Sequence, residues 1–356
     1  MTKGGRGADG GTGERELIRR IQAHAAHGRG TMPGVVLGIG DDCALLRVRA
    51  GEEIAVTTDL SIEGRHFRLE WHEPEAVGHR TLARGLSDLA GMGARPVAAF
   101  LSLGLRREMP DRDGWVKRFY DGLLKLAAEY GTPLAGGDLA ESPVVLADIV
   151  LVGAVPRGKA LRRSGARAGD AIYVTGALGG AAAGLESLRS SQFIGRSSQK
   201  NSSEFTARSS KPGRRPTAGG SENGELLLRA HFYPQPRVAQ GLWLMRQGAA
   251  TAAIDLSDGL STDLKHVCEE SGLAAEVDEA ALPVAAGATL AQALDGGEDY
   301  ELLFTAAEGT RIPRAIAGVR VTRIGRMVRR GRKNLVTLLT SSGPQALEAR
   351  GWQHFK

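Results

Sequence analysis

The chain has little of what marks secreted or membrane proteins. Only two cysteines occur in 356 residues, Cys43 and Cys268, too few for a disulfide framework and without the Cys/His spacing of a zinc site. No apolar run reaches the roughly 18 residues that span a bilayer, and the glycine-rich start lacks the apolar core of a signal peptide. A cytoplasmic protein without a membrane partner is the expectation. The sequence also contains no G-x-x-x-x-G-K-[ST] and no G-x-S-x-G elbow, and GALGGAAAG after Val174 does not have the G-x-G-x-x-G spacing of a dinucleotide turn. Walker-type ATPases, Rossmann dehydrogenases and elbow-type serine hydrolases are thereby set aside.

Glycine, in contrast, is abundant at 49 residues, roughly twice the usual share, with no collagen period; tight turns and close backbone approaches are implied. An apolar fraction of 42% supports a sizeable core, and 356 residues favour two domains over one. The formal charge of +6 is concentrated in residues 188–224, where seven Lys or Arg face two acids, a net of +5. That stretch is rich in Ser, Gly and Arg and nearly devoid of apolar period, so it reads as a disordered insertion. Its basic residues are not interleaved with aromatics as single-strand binders require, and nucleic acid is not an expected partner.

Residues 1–13 read as a disordered glycine-rich tail, and helical spacing opens at Leu17, Ile18 and Ile21. Strands are expected at 35–40, 53–59, 97–105 and 144–155, with helices over 75–92 and 115–131. A second segment opens with a strand at 171–176 and the helix start ALGGAAAGL, then continues through helical LLLRAHF and RVAQGLWLM. A short strand at 251–255, the helix GLSTDLKHVCEESG and strands at 299–305 and 321–328 complete it. Strands and helices alternate in both halves, which predicts two α/β or α+β domains with a boundary near 157–168.

Acids recur where apolar runs break at Gly, Ser or Thr: GIGDD (Asp41, Asp42), VTTD (Asp59), GLSDLAGMG (Asp88), LAGGD (Asp138), AIDLSDG (Asp255, Asp258) and GGEDYEL (Glu298, Asp299). Strand ends of α/β sheets are where ligands bind, although any one such acid could simply cap a helix or close a turn. Six instances point to carboxylates gathered around cations, and magnesium fits because it combines one or two carboxylates with phosphate oxygens. The turn GALGGAAAGL offers helix amides able to face an anion, or close packing through small residues.

The ordered set GIGDD, TTD with GRHF, SDLAGMGA, GGD, RRSGARAGD, YVTG, DLSDGL, GGEDYEL and GWQHF resembles the thiamine-monophosphate kinase family over nearly the whole chain from about residue 14. The wider superfamily holds aminoimidazole-ribonucleotide synthetase, selenophosphate synthetase and a hydrogenase maturation factor. What the resemblance implies is an α/β (α+β) chain with the two-domain aminoimidazole-ribonucleotide-synthetase-like fold: residues 14–160 binding ATP and magnesium, 161–356 forming the second domain. A homodimer whose amino-terminal sheets form a barrel is implied as well. The implied reaction is direct in-line transfer of the ATP γ-phosphoryl to thiamine monophosphate, giving thiamine diphosphate, the last step of its biosynthesis, with several Mg2+ ions and no side-chain nucleophile.

By the same resemblance the metal ligands would be Asp42, Thr58, Asp59, Asp88, Asp138, Asp255 and Asp258. ATP would meet Asp41, Thr57, Tyr120, Gly137, Asp138, Arg163 and Ser257, and the acceptor His66, Glu298 and Trp352. Each has a structural alternative: Tyr120 as a core residue, Trp352 as an anchor, Arg163 as a solvated turn residue, His66 as a structural histidine. Family members commonly carry an Asp-Ser pair where this chain has Gly180 and Ala181, so no role is assigned there. The competing readings are another ATP-using enzyme of the superfamily and a non-catalytic nucleotide sensor.

Overall fold

The computed structural model describes residues 14–26, 34–109, 114–200, 222–331 and 334–352. The chain forms two mixed α/β units that interleave in sequence. Met1–Arg49, Val56–Gly85 and Pro96–Val152 make the first, and Ala50–Ala55, Leu86–Arg95 and Gly153–Lys356 the second. The tail expected at 1–13 lies outside the described residues.

In the first unit α1 (Glu14–Ala26) buries Leu17 and Ile21, one turn apart, and leaves Ile18 exposed. The short strands β1 (Val35–Leu37) and β2 (Leu45–Leu46) pair with each other. A four-stranded sheet runs in the order β3 (Glu52–Ile62), β6 (Leu146–Pro156), β4 (Arg95–Leu105), β5 (Leu134–Glu141). The helices α2 (Pro74–Gly91) and α3 (Trp115–Glu129) cross at backbone contact. A Cβ on Gly78 would lie 1.9 Å from the Phe119 carbonyl oxygen, and one on Gly122 would lie 1.9 Å from that of Glu75. Here the high glycine content serves helix packing. Leu82, Leu101, Phe119, Leu123, Ile149 and Leu151 are fully buried around these elements.

The second unit is built on a sheet ordered β14 (Gly343–Ala346), β13 (Val336–Thr340), β9 (Leu273–Asp278), β12 (Val319–Arg329), β7 (Ala171–Thr175), β10 (Leu302–Ala306), β8 (Ala252–Asp255), with β11 (Ala315–Ile316) pairing β12. Its pairs are antiparallel apart from β13 with β9. Because β10 is antiparallel to both β7 and β8, its start lies at the same sheet end as their carboxyl termini, Leu302 opposite Asp255 and Leu303 opposite Val174. Three loops therefore emerge together: after β7, after β8 and before β10. The helices are α4 (Gly180–Lys200), α5 (Glu222–Phe232), α6 (Val238–Gln247), α7 (Leu260–Ser271) and α8 (Leu290–Asp295).

The helix α4 runs further than composition suggested. It continues from buried Leu188 through Lys200, and α5 opens at Glu222, so both ends of the 188–224 segment are helical. The apolar and alanine-rich start of α4 propagates a helix into the Ser/Arg-rich run because extension adds one hydrogen bond per residue fixed. Residues 201–221 lie outside the described ones. No helix among the described residues is long and apolar enough to cross a membrane.

Candidate active site

In the second unit the chemistry gathers on the loop between β8 and α7. Asp255, the last residue of β8, is buried, and its Oδ2 accepts a hydrogen bond from Ser87 Oγ at 2.7 Å. Ser87 immediately precedes Asp88 on α2. After Leu256, the residues Ser257, Asp258 and Gly259 each donate a backbone N–H to Asp263 Oδ2, all at 3.1 Å. One carboxylate oxygen thus wraps the loop around itself at the start of α7. Asp263 was not singled out from the sequence; the available signal was an acid in the first turn of a helix opening on glycine.

Burial pushes the Asp263 carboxyl up to about 8, the charges of Asp255 and Asp258 add to the rise, and amide bonds from Asp258 and Gly259 oppose it. Asp255 and Asp258 thus set negative charge against Asp263, and carboxylates held near one another favour a nearby cation. Among the described residues no group of three or more His, Cys, Asp or Glu side chains is placed to hold a metal ion. Magnesium needs only one or two protein carboxylates and would complete its shell with substrate phosphates and water.

Both acceptor candidates of this unit are tied to the same loop. The Glu298 N–H donates to the Ser257 carbonyl at 2.8 Å, and the Trp352 N–H donates to the Asp258 carbonyl at 3.0 Å. A Cβ on Gly351 would sit 2.0 Å from the Asp258 carbonyl oxygen, so only glycine lets the terminal segment dock there. Trp352 itself is 45% exposed. His231, buried on α5, has its Nδ1 4.0 Å from Glu298 Oε2. Arg163 lies elsewhere in this unit, exposed, with its carbonyl accepting from Ser271 Oγ at 3.3 Å.

The first unit carries the other candidates. Asp41 and Asp42 are exposed in the turn after β1, where Asp41 Oδ1 accepts from the Asp42 N–H at 2.9 Å. On β3 the pleat puts Thr57 and Asp59 on one face and Thr58 on the other. The Thr58 side chain therefore does not join that of Asp59. Arg84 of α2 donates from Nε at 3.2 Å and from Nη2 at 2.9 Å to Asp59 Oδ1, a partner the sequence reading missed. Asp138 is exposed on β5, opposite Ser102, and Gly137 faces Leu101 so closely that a Cβ would come within 1.9 Å of its carbonyl oxygen.

Tyr120 is buried on α3, edge-on to Phe119 at 5.5 Å, and burial pushes its phenol up. In this structure it occupies the core position foreseen as its alternative. His66 Nδ1 accepts from the Ile62 N–H at 3.0 Å, which requires a neutral ring with the proton on Nε2. The imidazole is oriented by its own turn and presents a donor.

Comparison with known proteins matches the chain in two consecutive parts. The family AIR synthase related protein, N-terminal domain, matches residues 40–157, and AIR synthase related protein, C-terminal domain, matches residues 167–337. The thiamine-monophosphate kinase of Escherichia coli (strain K12) is 37% identical over 356 residues, covering 96% of this chain and 98% of the relative. Among solved structures, the thiamine-monophosphate kinase from Stenotrophomonas maltophilia K279a aligns with a TM-score of 0.72 at 37% identity, covering 90% of this chain and 95% of that one. AaThiL complexed with AMPPCP and TMP aligns with a TM-score of 0.69 at 28% identity, covering 99% and 100%.

Proposed function

The chain belongs to the AIR synthase related family and, within it, to the thiamine-monophosphate kinases, and from that premise we propose how its residues divide the reaction. Its activity is the ATP-dependent phosphorylation of thiamine monophosphate. We infer that Mg2+ would be held by Asp42, Thr58, Asp59 and Asp138 in the first unit and by Asp88, Asp255 and Asp258 in the second. Since the Thr58 side chain points away from Asp59, its backbone carbonyl is the oxygen it can offer. When bound, the ions supply neutralisation of phosphate charge, the main need of phosphoryl transfer.

ATP is assigned to Asp41, Thr57, Tyr120, Gly137, Asp138, Arg163 and Ser257, with Tyr120 and Gly137 shaping the surroundings: one is core, the other a close-approach glycine. The acceptor is assigned to His66, Glu298 and Trp352. A phosphate monoester has a second pKa of roughly 6, so at neutral pH the attacking oxygen is already largely deprotonated and needs no general base. Neutral His66, held through Nδ1, positions by donating from Nε2. The observation that carries this reading is the Ser257–Asp258 loop, which one acid organises and to which the backbones of Glu298 and Trp352 are both bonded.

We also propose that the protein works as a cytoplasmic homodimer. On β3, the edge strand of its sheet, Ile54, Val56 and Leu60 are 58%, 62% and 43% exposed on one face. An apolar edge of this kind is a pairing surface. The test of the activity is incubation with ATP, Mg2+ and thiamine monophosphate, followed by chromatography. Thiamine diphosphate should accumulate, and free thiamine should not be phosphorylated; formation of aminoimidazole ribonucleotide or selenophosphate from their own precursors would overturn the assignment.

A further inference from the structure

The glycine-rich turn after β7 presents helix amides, yet the anion they meet comes from the protein itself. Asp299 Oδ2 accepts from the Gly179 N–H at 2.6 Å and its Oδ1 from the Ala181 N–H at 3.2 Å, capping α4. The cap arrives from 118 to 120 residues away in the chain. On either side of Asp299 the backbone is left-handed, with φ of 67° at Glu298 and 50° at Tyr300. Side chains with a Cβ adopt that region rarely, and such conformations persist only where surrounding contacts hold them.

The contacts are on the page. The Glu298 and Tyr300 N–H groups donate to the Ser257 and Leu256 carbonyls at 2.8 and 2.9 Å. Glu301 accepts from Arg237 Nε and from Thr175 Oγ1, both at 2.6 Å. These fix the turn to β8 and β7, and the register of β10 is set by its two neighbouring strands. Asp299 is the link to α4, and the residue it adjoins is the acceptor carboxylate Glu298, a suitable partner for a cationic thiazolium.

We propose that Asp299 is a positioning residue for the acceptor: by occupying the amino-terminal amides of α4 it holds Glu298 in its left-handed conformation and aims the Glu298 carboxylate. This rests on Glu298 being an acceptor residue, so Glu298→Gln is measured in parallel. Asp299→Ala should raise the KM for thiamine monophosphate about tenfold or more while leaving the KM for ATP within about twofold and saturated kcat within about threefold. Asp299→Asn keeps one acceptor oxygen and should give a smaller rise of the same kind, and it serves should the alanine variant fail to fold. Formate, a detached carboxylate, should partly restore the alanine variant. Equal rises in both KM values, or a fall in kcat alone, would reduce Asp299 to a fold residue and overturn the proposal. If Glu298→Gln raises the acceptor KM and neither Asp299 variant does, the positioning role alone is wrong; if Glu298→Gln leaves it unchanged, the acceptor reading of Glu298 falls and the proposal with it.

Discussion

A single carboxylate can serve a fold, a metal or a substrate, and neighbours decide which. Asp263 is committed to three backbone amides and Asp299 to two, whereas Asp255 and Asp258 raise the proton affinity of Asp263. Asp258→Asn keeps size and removes one of the repelling charges. Turnover should fall about a hundredfold or more as a cation ligand is lost, while the melting temperature holds or rises because like-charge repulsion is relieved. Full activity in this variant would make Asp258 a turn residue.

Asp299 makes a pH prediction of its own. Burial pushes its carboxyl up to about 7 against the pull of the Gly179 and Ala181 amides, with Glu301 and Glu298 adding to the rise. An unfolded Asp titrates near 4, roughly, so between the two values the folded protein holds a proton that the unfolded chain has released. Stability therefore falls as pH rises through this window and stays down above it. The melting temperature of the wild type should decline relative to that of Asp299→Asn from about pH 4.5 to 7, and the difference should be level above about pH 8. Parallel curves would place the titration on another group.

At the scale of elements, legibility followed local pattern. Helices α2, α3 and α7 were readable from their helical spacing, and β3, β4, β6 and β7 from apolar runs. Strand β9, LAAEVD, is short and alanine-rich and gave no strand signal, and β13 and β14 were missed with it. The extension of α4 was hidden because composition outweighed helix propagation. At the site, motifs flagged the acids of β3, α2, β5 and the β8–α7 loop. Asp299 was flagged within GGEDYEL, but its pairing with the amides of α4, like the pairings of Ser87 and Arg84, stayed invisible because each meets its group across 25 to 168 residues. Edge strand β3 carries the dimer prediction. Ile54→Glu with Val56→Glu should convert a dimer to a monomer in sedimentation analysis, since charges on an exposed strand face oppose pairing; a wild type that is already monomeric at micromolar concentration contradicts it.

At the scale of the whole molecule, the candidate residues of the two mixed α/β units are carboxylates, backbone amides and the oriented His66. Cys268 is buried, with burial pushing its thiol up to about 12, which removes it as a thiolate at neutral pH. Catalysis by alignment and charge neutralisation needs a single displacement at phosphorus. A phosphoenzyme would instead need two. The measurement that separates them directly is the stereochemical course with ATP made chiral at the γ-phosphorus by oxygen isotopes and sulfur. One direct transfer to thiamine monophosphate predicts inversion of configuration in the terminal phosphoryl group of the product, and retention would contradict it.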